Sequence, residues 1–279
     1  MATLYVVSTP IGNLGDFTYR AVETLRTVRH ILAEDTRRTA ILLRHYGIDG
    51  RPVSAHAHNE EARSVQMLEW LGAGDDVAVV TDAGTPLVSD PGARLTRAAL
   101  DAGHDVVPVP GASAALAALV ASGLEPEPFT FAGFLPRSGG SRTRAIEGIA
   151  SSPSTTILYE APGRLVKLLR DLAAACGGDR RVSVSRELTK LHETTFRGTL
   201  AEAHAYYEDT GVRGEIVVVL AGAPATEAEV DPAEAERVVR ALLDDGRKPS
   251  AAAREAAKLL GIPRRDAYRL ALGLSGERE

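Results

Sequence analysis

Short runs of β-branched and aliphatic residues alternate, from Leu4 onward, with stretches whose apolar positions recur every three or four residues. The runs LYVVST, HILAE, PVSAH, DVAVVTD and DVVPVP read as strands, and the periodic stretches 17–28, 36–46, 59–71 and 93–102 read as helices between them. This alternation predicts an α/β fold with a largely parallel sheet covered by helices. Ligands bind such sheets at the carboxyl ends of the strands, so the residues following each run carry the functional interest.

The pattern changes after GLEPEP, residues 123–128. FTFAGF, TTILYE, RVSVSREL, TTFRGT and EIVVVLAG predict strands, with helices at 143–150 and 163–175. The short loop before TTFRGT predicts that it pairs antiparallel with RVSVSREL. AGAPATEAEVDP has linker composition, and 233–243, 250–260 and 264–272 predict three helices. The last two flank Gly261-Ile262-Pro263, a helix-turn-helix signature. The expected organisation is an N-terminal α/β domain over 1–123, a mixed α/β domain over 124–222, a linker over 223–232 and a helical module over 233–279.

The net charge of -5 argues against a protein that coats nucleic acid globally. Residues 246–272 nonetheless hold seven basic side chains against two acidic ones. Arg264, Arg265 and Arg269 in this stretch are candidate RNA contacts, and a packing or dimerisation tail is the competing reading. Arginine outnumbers lysine throughout, so arginine placement is informative where arginine abundance is not. No stretch approaches the ~20 apolar residues of a membrane span, and the N-terminus lacks a signal-type segment; a cytoplasmic location is expected. The single Cys176 has no disulfide partner within the chain and reads as a structural thiol.

Three loops following strands stand out. VVSTPIGNLGD has the strand-turn-helix context of a phosphate loop, but Gly12 and Gly15 match neither the dinucleotide nor the Walker spacing. TDAGTPLVSDPG places Gly84 for close backbone approach, prolines for stiffness, and Asp82 and Asp90 as bracketing acceptors. In PVPGASAA, Gly111 and Ser113 open a helix of small residues. Small side chains at all three sites leave room for a flat ligand. His56 and His58 lack further ligands at usual spacing, so no metal is expected.

STPIGNLGD, AEDTRRT, HNE, TDAGTPLVSDPG, VPGASA, FAGFLP, LYEAP and SRELTK occur in the order and spacing of the tetrapyrrole-methylase superfamily. More narrowly, the chain resembles the bacterial branch that methylates the 2′-hydroxyl of a cytidine ribose in small-subunit ribosomal RNA. The resemblance implies two α/β domains with S-adenosylmethionine in the cleft between them, in a homodimer acting on the RNA or on the assembled small subunit. It implies that Asp82, Gly84, Thr85, Ser113, Ala114, Tyr159, Leu188 and Glu215 line the cofactor slot, and that Pro10 and Asn13 belong to a stiff wall shaping substrate access. A phosphate-free cofactor also accounts for a glycine loop that matches no phosphate cradle.

Methyl transfer to a ribose hydroxyl requires an aligned acceptor and a group to manage its proton. Read as a strand, SRELTKLHE places Arg186, Lys190 and His192 on one face and Glu187, Thr189 and Glu193 on the other. Lys190 is the candidate base, given a lowered pKa, with Glu187 orienting it and Arg186 facing substrate. In AEDTRRT, Glu34 and Asp35 end a strand as further catalytic candidates, and Arg37 and Arg38 begin a helix where arginine either grips a phosphate or pairs within the chain. The same core would also serve a methyltransferase acting on a tetrapyrrole or a protein side chain, and the C-terminal module leaves a ligand-sensing DNA-binding regulator as a third reading.

Overall fold

The computed structural model describes residues 2–224 and 231–276. The chain divides into two compact units, 1–222 and 223–279. Most of the linker expected at 223–232 lies outside the described residues, as do the last three residues of the expected helical module.

The first half of the large unit runs β1 (Thr3–Val7), α1 (Tyr19–Thr27), β2 (His30–Ala33), α2 (Thr36–His45), β3 (Val53–Ser54), α3 (Glu60–Gly72), β4 (Val77–Val80), α4 (Ala93–Asp101), β5 (Asp105–Val109) and α5 (Ala114–Ser122). Its sheet is wholly parallel in the order β3-β2-β4-β1-β5. The central strand β4 is VAVV, buried on both faces, which is why it reads as a continuous apolar run. Val77 and Val79 meet one core with Leu4, Met67, Leu71 and Leu95, while Ala78 and Val80 meet the other with Val22, Leu25 and Leu43. Each fully buried leucine contributes roughly 2 kcal/mol to this packing.

The second half runs β6 (Phe129–Phe134), α6 (Gly139–Ser151), β7 (Thr155–Glu160), α7 (Leu165–Cys176), β8 (Arg181–Arg186), β9 (Thr194–Thr199), α8 (Leu200–Thr210) and β10 (Ile216–Leu220). Its sheet order is β6-β7-β10-β8-β9, with only the β6–β7 pair parallel. β8 and β9 pair antiparallel, as their short connection predicts. Strand β10 shows the period of two: Ile216, Val218 and Leu220 face α7 and α8, whereas Val217 and Val219 face α5. Helix α5 of the first half therefore packs on the second sheet, in a core with Ile11, Ile157 and Leu188. Ser113 opens that helix by accepting from Leu116 N, and Gly123 ends it with φ of 71°.

The smaller unit holds α9 (Pro232–Asp244), α10 (Pro249–Leu260) and α11 (Arg264–Gly276). Small alanines at Ala252, Ala253, Ala256, Ala267 and Ala271 pack closely against Val239, Leu243 and Leu274. Gly261 turns the chain between α10 and α11 with φ of 65°, a left-handed conformation favouring glycine. Among the described residues no helix is long and apolar enough to cross a membrane.

Candidate active site

The three loops singled out in the sequence are stitched together at the carboxyl end of the parallel sheet. Thr9 and Gly84 exchange backbone hydrogen bonds of 2.8 and 3.0 Å, joining the loop after β1 to the loop after β4. Ser8 Oγ reaches Thr85 Oγ1 at 3.3 Å, and Thr85 Oγ1 donates to Ala112 O at 3.3 Å. A Cβ on Gly111 would come within 2.9 Å of Ser8 Cβ, so the third loop closes on the first only because that residue is glycine. Leu87 and Ser89 adopt φ of 72° and 66° in the loop after β4, a conformation costly for residues bearing Cβ. Glu60, buried at the start of α3, holds the far end of that loop by accepting from Gly92 N at 2.9 Å and Arg94 N at 3.0 Å.

This loop assembly faces the ends of β6, β7 and β8 and the start of β10 across a cavity of about 380 Å³. The antiparallel register places Tyr159 beside Val217 and Glu160 opposite Ile216 at the rim. Glu34, Asp82, Gly84, Thr85, Ser113, Ala114, Tyr159, Leu188 and Glu215 all line the cavity, so one catalytic candidate and every cofactor candidate meet there. Tyr159 packs edge-on against Phe131 and Phe134, forming an aromatic wall, and burial raises its phenol pKa.

The cavity is acidic. Glu34, Asp82, Asp90, Glu160 and Glu215 line it with Arg38, and Arg164 and Lys190 pair with Glu160 and Glu215 from its edge, each at 3.1 Å. Burial raises the Asp82 pKa, with nearby Glu34 adding to the effect. Asp82 Oδ1 accepts from Asp35 N at 2.9 Å. Asp90 is pushed up to about 6 by burial, with Glu34 and Asp82 adding repulsion against the opposing Thr81 hydrogen bond. Thr81 Oγ1 lies 2.9 Å from Glu34 Oε2 and 2.7 Å from Asp90 Oδ2. One hydroxyl proton serves only one of these carboxylates, so both bonds form together only when one carboxyl is protonated. Asp90, with its raised pKa, is the group suited to hold that proton.

A second hollow of about 300 Å³ adjoins the first and shares Ile11, Arg38, Asp82, Ala83 and Glu215 with it. Pro10 and Lys190 line this hollow. Asn13 does not; its side chain caps the short 3₁₀ turn Leu14–Asp16 by accepting from Gly15 N at 3.0 Å.

SRELTKLHE departs from the expected strand. β8 ends at Arg186, and the chain turns sharply with positive φ at Glu187 (53°) and Thr189 (67°). The turn puts Glu187 and Lys190 together, not on opposite faces: Lys190 Nζ lies 2.9 Å from Glu187 Oε1 and 3.1 Å from Glu215 Oε2. Partial burial opposes the Lys190 charge, but the two carboxylates prevail and raise its pKa. The lowered pKa expected of a lysine base is therefore not what this environment produces. Glu187 is held ionised first by its hydrogen bond from Glu215 N and then by Lys190. Arg186 turns away to Thr194 Oγ1 and the His192 carbonyl, and lines neither hollow.

Asp35 and Arg37 pair with each other, also outside both hollows. Asp35 caps α2 by accepting from Arg37 N at 2.9 Å, and its carboxylate takes the Arg37 guanidinium at 2.7 Å. The hydrogen bonds from the Arg37 side chain and backbone keep Asp35 far below the usual carboxylate range. Arg38, one residue on, projects into both hollows instead. Arg264, Arg265 and Arg269 are exposed on α11, with Arg265 and Arg269 near Asp266. Asp90 was legible as a bracketing acceptor but not as a titrating one; the sequence offered Arg37 and Arg38 alike as phosphate-gripping arginines without separating them, and Glu160 carried no signal beyond its loop.

Comparison with known proteins agrees with this architecture. Residues 3–204 match the family described as Tetrapyrrole (Corrin/Porphyrin) Methylases, and residues 229–275 match the RsmI C-terminal HTH domain. The Ribosomal RNA small subunit methyltransferase I of Synechocystis sp. is 45% identical over 278 residues, covering 99% of this chain and 100% of its own. The protein of the same name from Micromonospora olivasterospora is 46% identical, covering 98% and 88%. A crystal structure of diphthine synthase shares the fold with a TM-score of 0.62 at 18% identity, covering 79% of this chain and 90% of that one. With near full-length identity to these relatives and both domain matches in place, the chain belongs to the ribosomal RNA small subunit methyltransferase I family of tetrapyrrole methylases.

Proposed function

We propose that the chain is an S-adenosylmethionine-dependent methyltransferase that modifies the ribose 2′-hydroxyl of a cytidine in small-subunit ribosomal RNA. Family membership supports RNA methylation. The observation that carries the choice of donor is the lining of the larger cavity, where Glu34, Asp82 and Asp90 meet one arginine beside an aromatic wall, Glu160 being paired with Arg164 and Glu215 with Lys190. That set disfavours a polyphosphate nucleotide and suits a flat, phosphate-free ligand bearing cationic sulfonium and ammonium groups. S-adenosylmethionine supplies an electrophilic methyl group. Asp82, Gly84, Thr85, Ser113, Ala114, Tyr159, Leu188 and Glu215 would hold it.

Around that ligand the chain divides its work by charge. Lys190, kept protonated by Glu187 and Glu215, acts as a hydrogen-bond donor and electrostatic anchor for the acceptor, with Glu187 orienting it. Asp82 lies where both hollows meet, and its raised pKa makes it the better proton acceptor for a hydroxyl presented there. Glu34 holds the Thr81 hydroxyl and the Asp82 backbone behind it. The basic face of α11, including Arg264, Arg265 and Arg269, is assigned to RNA backbone contact, and a homodimer is the expected assembly.

The reading is tested with purified protein, labelled S-adenosylmethionine and small subunits lacking the modification. Label in the RNA is the expected result. Label absent from RNA but transferred to a tetrapyrrole or a protein would replace this reading with that one.

A further inference from the structure

Resting on the reading just given, we infer that the smaller hollow is a subsite for a single ribonucleotide of the RNA substrate, with Ile41 as its apolar platform and Arg38 as its anion-binding group. At about 300 Å³ it encloses one nucleotide-sized group. It shares Arg38, Asp82 and Glu215 with the larger cavity, so an occupant lies directly beside a ligand held there.

Two features point to an occupant. Ile41 is 59% exposed on α2 although it lines a concave surface whose other apolar members are buried (Pro10, Ile11 and Leu42) or half-buried (Leu14 and Ala83). An exposed aliphatic side chain at the lip of such a hollow is suited to pack against the face of a base or sugar. The Arg38 guanidinium makes no hydrogen bond among the described residues: it is ion-paired with Asp82 at 3.7 Å from Nε, beyond hydrogen-bond reach, which leaves its N–H groups open. Its fork of N–H groups suits a phosphate bidentately. Opposite it, Lys190 spends two of its three donors on Glu187 and Glu215 and keeps a third for the occupant. Arg37, by contrast, is already paired with Asp35.

The full-length protein, saturated with S-adenosylhomocysteine, is titrated with a short fluorescent single-stranded RNA containing cytidine. Ile41→Asp replaces the apolar platform with a charge that repels phosphate, and Arg38→Gln removes the anion contact. Each variant is expected to weaken RNA binding about tenfold, and S-adenosylhomocysteine affinity, read in the Ile41 variant because Arg38 also lines the larger cavity, stays within about twofold. Wild-type RNA affinity in both variants overturns the subsite. Loss of S-adenosylhomocysteine binding in parallel in the Ile41 variant also overturns it, because the hollow then belongs to the other ligand. Failure of the wild-type protein to bind S-adenosylhomocysteine would instead count against the proposed activity, and the RNA titration would still report on the hollow.

Discussion

Gly12 sets the position of Lys190. A Cβ built on Gly12 would overlap Lys190 Cγ and lie 2.9 Å from Lys190 Cε and 3.1 Å from Thr189 Oγ1. Backbone strain is not the issue, since Gly12 is absent from the residues with positive φ. Gly12→Ala therefore acts by pushing the flexible lysine away from Glu187 and Glu215. The Lys190–Glu187 pair is about three-quarters buried and the Glu215 side chain is mostly exposed, so their loss costs about 1 kcal/mol together. For a chain of this size that lowers Tm by roughly 2–4 °C. The effect on transfer is larger, because a displaced positioning group costs about ten- to a hundredfold in kcat. Steady-state methyl transfer to small subunits, calorimetric binding of S-adenosylhomocysteine and thermal melting measure the three quantities. Gly15→Ala is the control, its Cβ meeting only Asn13 Oδ1 at 3.2 Å. Unchanged kcat in Gly12→Ala, with the expected fall in Tm, would refute the role given to Lys190.

Asp90→Asn should raise Tm most at about pH 8, by less near pH 5, and leave it unchanged only below the ordinary aspartate pKa of 3.8. The folded pKa of about 6 lies above the ordinary aspartate value, so the native state loses stability as pH rises through that window, and asparagine removes the loss; a lower Tm at the higher pH would contradict this. Lys190 titrates in the same sense at higher pH: its raised pKa means its stabilising contribution persists below the ordinary lysine value and is lost only as pH rises above it, so an alkaline limb due to Lys190 in the pH–rate profile falls above that value. Glu60→Ala frees Gly92 N and Arg94 N and should cost about 1–3 kcal/mol in chemical denaturation, with weaker S-adenosylhomocysteine binding as the loop after β4 loosens. Ending the chain at Gly222 removes the helical unit, and should preserve S-adenosylhomocysteine affinity while weakening RNA binding; equal loss of both would count against that division of labour.

The strands and helices were legible because their apolar periods match their surroundings. β4 and β10, buried on both faces, read as unbroken apolar runs, while α2 and α4 read as helices with one apolar stripe. The loop after β8 was not legible. Its alternation of charged and apolar residues has a strand's period, and nothing in Glu187 or Thr189 announces positive φ; the turn depends on Glu187 bonding to Lys190 and to Glu215 N, 28 residues away. Arg37 and Arg38 are likewise adjacent and identical in chemistry. Asp35, capping α2, takes Arg37 and leaves Arg38 to the cleft, a choice made by helix rotation. The raised Asp90 pKa reflects burial beside Glu34 and Asp82, which only the folded loop creates.

The most direct test of the account is nucleoside mass spectrometry of small-subunit RNA after incubation with the purified chain and isotopically labelled S-adenosylmethionine. Labelled 2′-O-methylcytidine is the expected product, formed about ten- to a hundredfold more slowly in Gly12→Ala and sharply reduced in Asp82→Asn. Label on a base, label on another nucleoside, or full retention of 2′-O-methylcytidine formation in Asp82→Asn would contradict the account.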